Sequence, residues 1–139
     1  MSKHDSVESY LAERGCPAAV VEGGFAGLIE QWEALVTAVE EGYELGLDDY
    51  LNELDIRQLL ADAQAHAPRE ETQAFTEPLQ RTDEQFQALT QATEACLWGA
   101  EVAEEEGWSA KNNFWYYRRP RRGDADFLAE IREALGEYE

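Results

Sequence analysis

Phe25, Leu28, Ile29, Trp32, Leu35, Val36 and Val39 recur at steps of three and four, which lays one wide apolar stripe along a helix of 3.6 residues per turn. A stripe that wide must be covered by other apolar faces, so the chain has to supply a layer to pack on it. What it supplies is more helix. Asp5-Ser6-Val7-Glu8 reads as a capping box opening a short helix through Arg14, Gly15 stops it, and Pro17 suits the first position of a turn running to Glu22. Gly23-Gly24 permits a sharp change of direction before the striped helix, which Gly42 closes. Asp124 caps a last helix with Phe127, Leu128, Ile131 and Leu135 on one face.

Two segments are less regular. Across 46–67, Leu47, Tyr50, Leu51 and Leu54 fall on one helical face, and Ile56, Leu59, Leu60 and Ala63 fall on nearly the opposite one. Either this helix is buried on two sides or it breaks near Asp55. Asp55-Ile56-Arg57-Gln58 has the form of a second capping box, which favours a break into two short helices. After a loop around Pro68, Phe75, Leu79, Thr82, Phe86, Leu89, Thr93 and Cys96 follow an alternating four-three spacing, so one long helix is expected over residues 71–98, with Pro78 kinking it or marking its first turn and Gly99 ending it. Two threonines make that seam a weak zipper. It favours packing inside a bundle over a homodimer, leaving monomer and homodimer both open.

From Ala100 to Gly123 the helical period disappears. Phe114-Trp115-Tyr116-Tyr117 is followed by Arg118-Arg119-Pro120-Arg121-Arg122, and consecutive aromatics ahead of proline suit an extended strap. Within it either Trp115 and Tyr117 or Phe114 and Tyr116 should fill the core. The expected architecture is all-α: one domain over residues 1–139, a compact bundle of five to six helices with one extended aromatic and basic segment near residues 108–122. At 139 residues and 44% apolar, the chain can bury a core without disulfides or metal. Cys16 and Cys96 are too far apart for a metal knuckle and suit reduced thiols packed among apolar neighbours.

Charge bears most directly on function. The sequence holds 30 acidic and 11 basic residues, net −19, and four of the bases lie between Arg118 and Arg122. An acidic body repels nucleic acid and anionic membranes and attracts basic partners. Two simpler origins stand beside that one: a solvated charged face, or a cell interior rich in salt, the latter suggested by two lysines, Lys3 and Lys111, against nine arginines. No apolar signal-like stretch opens the chain and no run nears 18 apolar residues, so a cytoplasmic address is expected.

No metal, cofactor or catalytic motif stands out. Neither His4 nor His66 has a Glu three residues before it, no paired cysteines or phosphate loop occur, and Asp62 and His66, one turn apart, suit a helix C-terminus as well as a ligand pair. Two regions are candidates for binding. One is the strap, with Trp108, Trp115, Tyr117, Arg118, Arg119, Arg121 and Arg122, whose aromatics and arginines suit stacking and anion contact but equally suit pairing with the acidic helices. The other surrounds the expected helix break, where Asn52, Asp55 and Arg57 suit a polar set beside Tyr50 but equally suit Asp55 capping a helix and Arg57 pairing with a neighbouring carboxylate. That segment, with Gly23-Gly24-Phe25 and the late Trp-Tyr-Tyr-Arg-Arg-Pro run, resembles small bacterial helical proteins with no assigned activity. The resemblance covers most of the chain and implies a shared fold without transferring an activity.

Two functions follow as expectations. The first is a small acidic interaction protein that binds a basic protein surface, as an adaptor, inhibitor or toxin-neutralising protein does. The second is a small-molecule-binding protein or enzyme, its pocket lying between the strap and the helix break, lined by Trp108, Trp115 and Tyr50, with Arg57 or Arg118 holding an anionic group.

Overall fold

The computed structural model describes residues 6–137. It is the helical bundle that the periodicities imply, with seven α-helices among the described residues and one two-stranded sheet. Helix α1 (Val7–Glu13) opens on Ser6, whose hydroxyl accepts the Ser9 N–H; Asp5, the expected cap, lies outside the described residues. Helix α2 (Ala18–Glu41) follows Pro17 and changes direction at Gly24, whose φ of 60° and ψ of −154° are open only to glycine. Beyond that kink, all seven stripe residues are buried.

Helix α3 (Leu47–His66) runs without a break, so the expected interruption at Asp55 does not occur. The two apolar faces have different covers instead. Near its start Tyr50 packs against Phe127 and donates its hydroxyl to the Arg118 carbonyl, while near its end His66 stacks on Tyr10 of α1. A helix flanked by different neighbours along its length needs apolar residues on more than one side, and two-sided burial results.

The expected helix over 71–98 is also different. Helix α4 (Arg69–Gln73) is one short piece, and α5 (Thr76–Leu89) begins after Phe75. Pro78 therefore falls in the first turn of α5, where a missing N–H costs nothing. At Thr90 the chain turns extended as β1 (Thr90–Ala92), which pairs antiparallel with β2 (Arg118–Pro120), Gln91 facing Arg119. The lower seam residues Leu79, Thr82 and Phe86 are buried in this chain's own core. Gly99 starts a helix rather than ending one: it precedes α6 (Ala100–Glu106), which Gly107 closes in the left-handed conformation.

The strap contains a 3-10 turn (Phe114–Tyr117) leading into β2. Helix α7 (Ala125–Ala134) starts at Asp124, whose carboxylate accepts the Asp126 N–H, and it buries Phe127 and Ile131. One hydrophobic cluster runs from Val7 to Ile131. No helix is long and apolar enough to cross a membrane among the described residues.

Candidate functional site: the strap and the Asp55 groove

The aromatic run does not alternate. In a 3-10 turn, residues three apart eclipse one another, so adjacent Trp115 and Tyr116 are buried together while Phe114 and Tyr117 stay half-exposed. Trp108 lies against this turn, stacked on Tyr116 with 4.1 Å between ring centroids, and its carbonyl accepts the Tyr117 hydroxyl. Burial, together with the nearby Cys96 thiol, pushes the Tyr117 hydroxyl up from its ordinary value.

The strap arginines meet the ends of helices. Arg118 donates to the Thr90 hydroxyl and to the carbonyls of Gln87 and Thr90 at the C-terminal end of α5, where the Gln87 oxygen also accepts the Thr90 N–H. Placing a cation there also matches the negative end of the helix dipole. Burial, with Arg121 nearby, lowers its pKa, yet a guanidinium stays charged at neutral pH. Arg119 pairs with Glu137 at 2.6 Å, and Arg122 reaches the Glu40 carbonyl in the last turn of α2 at 3.5 Å. Arg121 is exposed. The expected pairing with acidic side chains thus holds for Arg119, while Arg118 and Arg122 bind main-chain carbonyls.

Beneath the strap, Arg57 is only 7% exposed. Its Nε and Nη2 each lie 2.9 Å from an oxygen of Asp83, forming a fork on the carboxylate. Asp83 Oδ1 also accepts the Trp32 indole N–H at 2.9 Å, and the guanidinium carbon sits 4.5 Å from the Trp115 ring centroid. This hub joins α2, α3, α5 and the 3-10 turn around one buried charge pair. Arg57 Nη1 and Trp115 Nε1 are buried with no hydrogen-bond partner.

The partners expected for Asp55 are not those it has. Asn52 is exposed, Arg57 faces Asp83, and Tyr50 is in the core. Asp55 Oδ1 instead accepts the Tyr116 hydroxyl at 2.5 Å and the Trp98 indole N–H at 3.3 Å. Burial, reinforced by that bond to Asp55, drives the Tyr116 hydroxyl far above the ordinary tyrosine range. A groove of about 210 Å³ opens over this point, lined by Arg14, Asp55, Gln58, Glu106, Trp108 and Tyr116.

Most polar groups of the groove are engaged. Asn113 donates to Gln58 Oε1 at 2.8 Å, Gln58 Nε2 donates to Asp62 at 3.0 Å, and Arg14 donates to Asp62 at 2.5 Å and to the Tyr10 hydroxyl at 2.7 Å. Burial opposes the charge on Arg14, but these bonds outweigh it and raise its pKa. That chain neutralises the one cation in the wall.

No protein-family model, curated protein or solved structure matches this chain. Of the expected binding residues, Asp55 and Trp108 line the groove, with Tyr116 as its floor. Tyr50, Arg57 and Trp115 are core, and Tyr117, Arg118 and Arg119 fasten the strap. Sequence reasoning missed Arg14, Gln58, Trp98, Glu106 and Asn113. Only Gln58 carried a local signal, standing one helical turn before Asp62, at the spacing where such side chains bond.

Proposed function

We propose that this chain is an acidic interaction module that works in the cytoplasm and binds a basic protein surface. The disposition of the arginines carries this reading. Arg57, Arg118 and Arg119 are held within the fold by Asp83, by main-chain carbonyls and by Glu137, and Arg14 is paired with Asp62. Among the described residues, no ion pair ties the glutamates of α2 and α6 to the fold. Helix α2 carries Glu22, Glu30, Glu33, Glu40 and Glu41 with no basic residue, and all five are exposed. Helix α6 repeats the pattern with Glu101, Glu104, Glu105 and Glu106.

Such a surface raises the encounter rate with a cationic partner and repels polyanions. Free Cys16 and Cys96 suit a reducing compartment. The groove, at about 210 Å³, is smaller than the roughly 300–1,000 Å³ usual for small-molecule sites, which weighs against a small-molecule site between the strap and Asp55. The test is capture of a partner from the native lysate by the tagged chain, followed by calorimetric titration of that purified partner. A basic protein whose affinity falls about tenfold between ~50 and ~300 mM salt is the expected result. An affinity indifferent to salt, or no partner at all, refutes the proposal and leaves the charge as a solvated surface.

A further inference from the structure

The Asp55 groove contains a carboxylate set without a cation. Among the half-buried aspartates, Asp83 is paired with Arg57 and Asp62 with Arg14, but Asp55 has only the neutral donors Tyr116 and Trp98, both on Oδ1. No group among the described residues bonds its Oδ2. That oxygen is not among the buried unpartnered atoms, so it stays open to the groove, where an entering cation meets a carboxylate with no counter-charge. Glu106, exposed and unpaired among the described residues, lines the same groove. Trp108, stacked on Tyr116, adds an aromatic surface of the kind that attracts guanidinium and ammonium groups.

We infer that the groove is a receptor for one cationic side chain, an arginine or lysine presented by the basic partner, held between the Asp55 and Glu106 carboxylates and the Trp108 ring. This rests on the interaction-module reading and names the point where a partner is gripped. Size agrees: about 210 Å³ admits a guanidinium and its methylene stem. Arg14 does not oppose entry electrostatically, because Asp62 cancels its charge at 2.5 Å. Gln58 cannot easily rotate to replace the guest, since both ends of its amide are bonded.

The experiment is a titration of the full-length, ¹⁵N-labelled chain with N-acetyl-arginine amide, read on the indole N–H signals. Trp98 reports directly because its N–H rests on Asp55. Saturable shifts at Trp98 and Trp108, with a dissociation constant on the order of 1 mM, are expected. The uncharged N-acetyl-citrulline amide should give none. Asp55→Asn should weaken binding about tenfold or more, and so should Glu106→Gln, a surface change that keeps the fold if Asp55→Asn does not. Glu33→Gln, on the exposed side of α2, should leave binding unchanged. Equal shifts with citrulline, equal affinity in Glu106→Gln and Glu33→Gln, or no saturable shift overturns the assignment. The two proposals fail separately. A salt-sensitive basic partner whose affinity ignores Glu106→Gln removes the groove and keeps the module. Specific arginine binding with no protein partner removes the module and keeps the groove.

Discussion

Removing Asp83 should unfold far more of this protein than the loss of one surface acid. In Asp83→Leu the Arg57 guanidinium, 7% exposed, loses both bonds of its fork and remains buried and charged. Breaking a buried pair from one side costs about 3–5 kcal/mol, and the stranded Trp32 N–H, which also rests on Asp83, adds about 1 kcal/mol or more. Arg57→Met should cost about 3 kcal/mol by the same logic. The double replacement should cost only about 1–3 kcal/mol, because no buried charge is left and the indole N–H is the chief orphan. Since domain stabilities are roughly 5–15 kcal/mol, each single change removes a large share. Urea unfolding followed by far-ultraviolet circular dichroism on the four proteins gives the cycle. Singles each costing under about 1 kcal/mol, or a double equal to their sum, would refute the idea that one coupled charge pair joins these elements.

Three other outcomes follow from the packing. Burial raises the pKa of Tyr43, Tyr50 and Tyr116, with bonds to Glu53 and Asp55 adding to it for the first and last. Groups raised in the folded state contribute stability that is complete below the free tyrosine value near ~10 and drains away above it. Tyrosinate absorbance at these sites should therefore appear together with loss of helical signal, and full ionisation in a still-helical protein would contradict this. Arg118→Gln should cost about 1.5–3 kcal/mol in urea melts by removing the charged hydrogen bonds to Thr90 and to the Gln87 carbonyl, whereas Arg121→Gln, exposed, should change stability by less than about 0.5 kcal/mol; equal effects would deny the capping role. Gly123→Ala places a Cβ 2.9 Å from the Phe127 ring and 3.1 Å from the Tyr43 carbonyl, and should cost about 1–3 kcal/mol; a neutral result would show that the α7 junction yields freely.

The parts of the fold legible in the sequence were those fixed by local periodicity. The α2 stripe and the Asp124 cap lie where spacing and capping chemistry put them. Asp55 misled because its capping-box form is real but its carboxylate is claimed by Tyr116 and Trp98, 61 and 43 residues away. The seam likewise reads as helix through Cys96, yet β2 recruits the backbone from Thr90 onward, and no local pattern announces a strand partner so distant. Helix α6 escaped notice because four glutamates in seven residues leave little apolar periodicity to read. The groove shares that obscurity: it is assembled from α1, α3, α6 and the strap, and only Asp55 and Trp108 stood out beforehand.

The most direct test of a partner gripped through acidic side chains is its dissociation constant from the chain carrying Glu104→Gln, Glu105→Gln and Glu106→Gln together, beside Arg121→Gln, at fixed salt. A loss of about tenfold or more confined to the triple glutamine variant is the expected result. Unchanged affinity there, with binding lost in Arg121→Gln, would contradict it and place the contact on the basic strap.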